Sequence, residues 1–336
     1  MPTPNKGAHF LLLAKARTMK LRDVFAAGED AAFKTFCTMR WPETNGEPVC
    51  PRCGGLDPYR ITTRRKFKCR NAGCHHQFSP TSGTIFASRK MAYVDLLAAI
   101  LIVANAVKGL SALQLARDIN CQSKTAFVLA HKLREAMASE LKGATLDGTV
   151  EVDGAYVGGK IRPANLKENR RDRRLAENQN GKRRVVVVAR ERKGRTLTTV
   201  TKTEADGVQF VRAVVSAASE IHADEAMHWD VLHSKFRNVM RINHKEAYSK
   251  DGACTNQAES FLARLRRMID GQHHHVSPQH LHQYAVHAAW AEDHRREDNG
   301  QLCHRALGLA LVHPVSRKWK GYWQRTKIAS SGGQAT

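Results

Sequence analysis

Between residues 149 and 224 the apolar side chains gather into short β-branched runs, and no other part of the chain constrains the fold as tightly. Residues 150–157, then Arg184-Val185-Val186-Val187-Val188-Ala189, then 196–201 read as three strands, the last two joined by the turn Glu191-Arg192-Lys193-Gly194. Residues 206–219 bring Val208, Val211, Val214 and Val215 inward at helical spacing, 221–224 return to a short strand, and 231–236 fall within a further helix. Three meandering strands followed by alternating helix and strand is the ribonuclease H-like layout, an α/β core with a mixed sheet and flanking helices.

That layout sets the middle of the first strand beside the end of the fourth, where this chain carries Asp153 and Asp224. Asp153 lies in an otherwise apolar strand, just before Gly154, Gly158 and Gly159, where backbone can approach a ligand closely. Asp224 ends a strand, which favours it over its neighbours Glu225 and Asp230. A third carboxylate must arrive from a helix. Over 255–270, Ala258, Phe261, Leu262, Leu265, Met268 and Ile269 form the apolar face, and Asn256, Glu259, Ala263 and Arg266 share the adjoining stripe. Glu259 is the expected ligand, and Asn256, one turn earlier, is its rival; a carboxylate binds Mg2+ better. Such an oxygen set suits a pair of Mg2+ or Mn2+ ions in phosphoryl transfer, with Arg266 as a cation for the phosphate.

Lys and Arg outnumber Asp and Glu by 54 to 31, a formal charge of +23 on 336 residues, which fits a polyanionic partner. A membrane surface is the other acidic partner, but no apolar run reaches the roughly eighteen residues a span requires, and 96–107 is too short. After Phe10-Leu11-Leu12-Leu13 no small-residue cleavage site follows, so a secretory leader is not expected.

Four of the eight cysteines cluster as Cys50-Pro51-Arg52-Cys53 and Cys69-Arg70-Asn71-Ala72-Gly73-Cys74, two thiolate pairs suited to one structural Zn2+, with His75 or His76 as substitutes for Cys74. Between the pairs, 59–68 alternates as a short basic hairpin in which Arg64, Arg65 and Lys66 would face phosphate. Residues 93–107 form a buried helix ended by Gly109. Two further helical stretches, 111–118 and 122–137, are separated by a short break in helix-turn-helix phrasing. On the second, Ala126, Leu129, Ala130, Leu133 and Met137 face inward, leaving Gln122, Lys124, Thr125, His131, Lys132 and Arg134 to reach DNA. A plain helical hairpin is the competing reading. Residues 160–184 are basic and lack apolar periodicity, a loop or arm in which Lys160, Arg170 and Arg171 would meet DNA.

These residues together resemble the insertion-sequence DDE transposases of the ISXO2-like group. The resemblance runs from Arg40-Trp41-Pro42 through the Cys pairs, Gln77-Phe78-Ser79, Thr81-Ser82-Gly83-Thr84-Ile85-Phe86, Val152-Asp153, Tyr156-Val157-Gly158-Gly159-Lys160, Ala223-Asp224-Glu225, Ile242-Asn243-His244 and Thr255-Asn256-Gln257-Ala258-Glu259-Ser260-Phe261 to the histidine-rich helix expected over 279–290. It implies recognition of terminal inverted repeats, hydrolytic nicking and strand transfer by the freed 3′-hydroxyl. Asp153, Asp224 and Glu259 take the acidic positions, and Arg266 stands where relatives carry Lys. A homodimer or larger assembly on DNA is expected, because two element ends are cut together, in the cytoplasm of a bacterial cell at the nucleoid. The expected organisation is an N-terminal helical segment (1–48), a zinc ribbon (49–82), a helix-turn-helix region (83–146), the catalytic core (147–300, with the basic insertion 160–184) and a C-terminal tail (301–336). Two other readings are a DNA-binding regulator descended from such an enzyme, with an inactive core, and a structure-selective nuclease sharing that core.

Overall fold

The computed structural model describes residues 10–159, 161, 163–172, 175–178, 180–243, 249 and 252–324. In chain order the elements are α1 (Leu21–Arg40), β1 (Tyr59–Ile61), β2 (Lys66–Lys68), β3 (Gln77–Phe78), α2 (Tyr93–Asn105), α3 (Ala112–Asp118), α4 (Ser123–Glu140), β4 (Thr149–Val157), β5 (Arg184–Glu191), β6 (Thr196–Thr201), α5 (Gly207–Val214), β7 (Glu220–Asp224), β8 (Asn238–Ile242), α6 (Asn256–Met268), α7 (Pro278–Asp293) and α8 (Asn299–Val312), with short 3-10 stretches between them and a π-helical turn (Ile269–His273) after α6. Two compact units result, one ending at Glu140 and resumed from Arg296, the other Leu141–Arg295. Among the described residues no helix is long and apolar enough to cross a membrane.

In the first unit α2 is buried on nearly every side, as an all-round apolar helix must be. The Glu29 carboxylate on α1 accepts from the Tyr93 and Val94 amides at 3.0 and 2.9 Å, satisfying two of the first-turn donors of α2. α8 packs on α1, α2 and α4, and starts at Asp298, whose Oδ1 accepts from the Gly300 and Gln301 amides. Residues 301–312, expected in a C-terminal tail, are therefore core helix, with Cys303, Ala306, Leu307, Ala310 and Leu311 buried. The rest of that expectation, 325–336, lies outside the described residues.

α3 and α4 form at the expected places, Ser111 capping α3 through the Gln114 amide at 3.1 Å. The expected inward face of α4 is buried, but so are His131 (0% exposed) and Arg134 (3%), which sequence periodicity placed outside. The reason lies far along the chain: α8 covers a second face of α4, and Trp319 stacks on His131 with ring centroids 4.2 Å apart. Arg134 therefore does not face a groove. Trp319 is itself 1% exposed. Replacing it with Ala is expected to lower the stability of this unit by about 3–5 kcal/mol, read from urea unfolding, as for other buried aromatics.

The second unit is a five-stranded mixed sheet in the order β6-β5-β4-β7-β8. β5 is antiparallel to β4 and β6, whereas β4, β7 and β8 are parallel. Val185 and Val187 pack with Val208, Val211 and Trp229 on one face; Val186 and Val188 pack with Phe261, Leu265 and Tyr284 on the other. Burial on both faces explains why β5 reads as a continuous valine run. The edge strand β8 was not anticipated, and where 231–236 were expected within a helix the chain forms a 3-10 stretch over 227–234.

Candidate active site and metal centre

The four thiols of the ribbon converge. Their Sγ atoms all lie within 4.8 Å of one another, with Cys50 to Cys74 at 3.8 Å and Cys53 to Cys69 at 3.5 Å. A tetrahedron with Zn–S bonds of about 2.3 Å has edges of about 3.8 Å, so the cage fits zinc, and these separations are far beyond a disulfide bond of about 2.05 Å. Gly54, at φ +70°, makes the turn that brings Cys53 back: its amide donates to the Cys50 carbonyl at 2.9 Å. The Cys53 thiol is pulled down to about 7 by the Gly55 backbone and then by the neighbouring sulfurs. Cys74 is the fourth donor, and the His76 ring instead lies flat beside Phe78.

Around the cage Arg64, Lys66 and Lys68 are exposed, while Arg65 is turned back onto Asp30 of α1 at 2.8 Å. On α4, Lys124 and Thr125 are exposed and Lys132 is partly buried. In the 161–183 stretch, Arg171 is exposed and Arg170 donates to the Ala164 and Asn165 carbonyls of its own loop. Lys160 lies outside the described residues, as does His244.

In the second unit the parallel register pairs Val152 with Ala223, so Asp153 and Asp224 follow as neighbours on adjoining strands. Both are partly buried. Asp153 Oδ1 accepts from the Gly154 amide at 2.7 Å and Asp224 Oδ1 from the Ala226 amide at 3.2 Å. Glu259, in the first turn of α6, is partly buried, with Oε1 3.5 Å from Thr255 Oγ1. Burial pushes the Asp153 carboxyl up to about 7, against the Gly154 hydrogen bond and reinforced by the charges of Asp224, Glu204 and Glu259. Asn256, in contrast, is exposed, and so is Arg266 further along the helix.

Glu204 is a fourth carboxylate that sequence reasoning missed. It precedes α5 in a loop and is itself pushed up to about 7, first by burial and then by Asp224. A side chain at Gly154 would collide with it, so glycine makes its room. His228 Nε2 stands 4.0 Å away. Nothing in the periodicity marks Glu204, and only its approach to β4 does.

Among the described residues, the thiols alone form a group of three or more candidate ligands within 4.8 Å. Asp153, Asp224 and Glu259 are not part of that group. Their all-oxygen donor set and the raised Asp153 carboxyl fit a hard divalent cation, which would relieve the crowding.

The strand order and the central aspartates are consistent with the ribonuclease H-like class of α/β domains, here in one chain with a four-cysteine ribbon. Residues 145–293 match the family described as ISXO2-like transposase domain, and residues 27–77 the transposase zinc-ribbon domain. The chain belongs to the insertion-sequence DDE transposases of the ISXO2-like group. No curated protein and no solved structure matches it.

Proposed function

We propose that this chain binds the inverted repeats of its insertion sequence and catalyses metal-dependent strand cleavage and strand transfer. The observation that carries the reading is the side-by-side placement of Asp153 and Asp224 with the Glu259 charge acting on Asp153. Mg2+ or Mn2+, when bound, supplies activation of the attacking oxygen and charge relief at the leaving one. Asp153, Asp224 and Glu259 hold and orient the ions from two strands and a helix. Arg266 steadies the scissile phosphate or its neighbour as a fixed positive charge. The exposed Arg64, Lys66, Lys124, Thr125 and Arg171 engage DNA, α3 and α4 acting as a helix-turn-helix with Lys132 at its margin. Since two ends must be cut together, the working form is a dimer or larger assembly on DNA, at the nucleoid of a bacterial cytoplasm.

The test is incubation of the full chain with Mn2+ and linear DNA carrying the repeats that bracket its gene. Nicked ends with free 3′-hydroxyls and joined products are expected, both lost in Glu259→Gln and both retained in Asn256→Ala. DNA binding without cleavage by the wild type would instead support a regulator with an inactive core, and cleavage of branched DNA without joining would support a structure-selective nuclease.

A further inference from the structure

Two residues before Asp153 on the same face of β4 lies Glu151, fully buried at 0% exposure. Its cross-strand partners are Arg190 on β5 and His222 on β7. Oε2 accepts from the Gln257 amide at 2.7 Å and the Ala258 amide at 3.1 Å, both in the first turn of α6. Oε1 accepts from Arg192 Nε at 2.8 Å. α6 needs this outside carboxylate, because its own N-cap residue, Thr255, provides no side-chain cap.

The contacts continue into the segment that leads to α6. Arg192 Nη2 donates to the Cys254 carbonyl at 3.2 Å. The Cys254 amide donates to His222 Nδ1 at 3.1 Å, which leaves Nε2 to carry the ring proton and donate to Glu220 at 2.7 Å. Glu151 thus ties β4 to the turn after β5 and to the start of α6, while His222 ties β7 to the segment that leads into α6. Glu259 follows Ala258 directly in the chain, within one turn of the clamp.

We propose that Glu151 is a positioning residue: its buried carboxylate clamps the first turn of α6 to β4 and so sets the reach of Glu259 toward Asp153 and Asp224. This rests on the reading of those three residues as cation ligands. A solvent-exposed Ser or Asp would cap a helix without the desolvation that a buried carboxylate carries. What Glu151 adds is a direct bond between the strand that bears Asp153 and the helix that bears Glu259.

The test uses the zinc-loaded full chain as wild type, Glu151→Asp, Glu151→Gln and Asp153→Asn. Glu151→Asp keeps the charge opposite Arg192 and shortens the reach by one methylene, so it carries the test if Glu151→Gln does not fold. Three quantities are measured: Mn2+ binding from the free-ion electron paramagnetic resonance signal, amide exchange at Gln257 and Ala258, and cleavage rate at saturating DNA against Mn2+ concentration. Loss of an outer residue that orients metal ligands typically lowers metal affinity or activity about 10- to 100-fold. Both Glu151 variants are expected to weaken Mn2+ binding by about that range, expose the two amides, and recover part of their cleavage at raised Mn2+.

A merely structural Glu151 would lower the thermal midpoint but leave Mn2+ affinity unchanged in the molecules still folded. That result, with a wild type that binds Mn2+ through Asp153 and cleaves, overturns the clamp alone. A wild type whose Mn2+ binding is the same as that of Asp153→Asn, and which does not cleave, overturns the parent reading and the clamp with it.

Discussion

Zinc removal by a strong chelator, or Cys69→Ser, is expected to unfold the ribbon around 49–78 and leave the sheet of 141–295 folded. The ribbon has little else to hold it. Its strands are three, three and two residues long, and its buried cluster is Cys37, Trp41, Cys50, Phe67, Cys69 and Phe78, two of which are cage thiols. Strands that short do not stand alone in water. Structural zinc contributes apparent folding free energies of about 10–16 kcal/mol in small zinc-finger peptides, far above what the Trp41, Phe67 and Phe78 packing supplies. Mass spectrometry should find one zinc per chain, and thiol titration on its release should find four newly reactive cysteines. The sensitive site is the Cys69 amide, which donates to the His76 carbonyl at 2.9 Å across the second thiolate pair. Its hydrogen exchange should become fast on chelation. If that amide stays protected in metal-free protein, the ribbon folds by packing and the ion is incidental.

Why the core was readable and parts of its surroundings were not follows from where the information sits. β4, β5 and β7 are central strands with apolar faces that alternate or run continuously, so the chain itself records their burial. β8 is an edge strand whose only fully buried member is Ile242, and Asn238 and Arg241 blur its alternation. Arg134 was misplaced because periodicity reports one apolar face. The second cover on α4 comes from α8 and Trp319, more than 160 positions away in the sequence. Glu204 and Glu151 escaped for related reasons. The first belongs to a loop, and the second is a charged residue in a strand whose partners are two backbone amides and the distant Arg192 side chain, which no local pattern reveals.

Asp153→Asn is expected to reduce cleavage and joining at least a thousandfold, about 4 kcal/mol of transition-state stabilisation, and yet to make the metal-free protein more stable above neutral pH. The folded chain raises this carboxyl from 3.8 to about 7, mainly by burial, with Asp224, Glu204 and Glu259 adding to the effect. Folded protein therefore holds the Asp153 proton more tightly than unfolded protein does. As pH rises from about 4 to about 7 the unfolded chain releases that proton first, and the folded state loses stability throughout the window. Above pH 7 the loss is complete, on the order of 4 kcal/mol for a roughly thousandfold difference in proton affinity. Asparagine has no proton to lose, so the variant should unfold later than the wild type at pH 8 and lose that advantage below about pH 4. Mn2+ should reverse the order at pH 8 by stabilising the wild type through the charges that destabilise it without metal, while doing little for the variant. Equal unfolding midpoints for the two proteins at pH 8, with and without Mn2+, would place Asp153 outside the cation site.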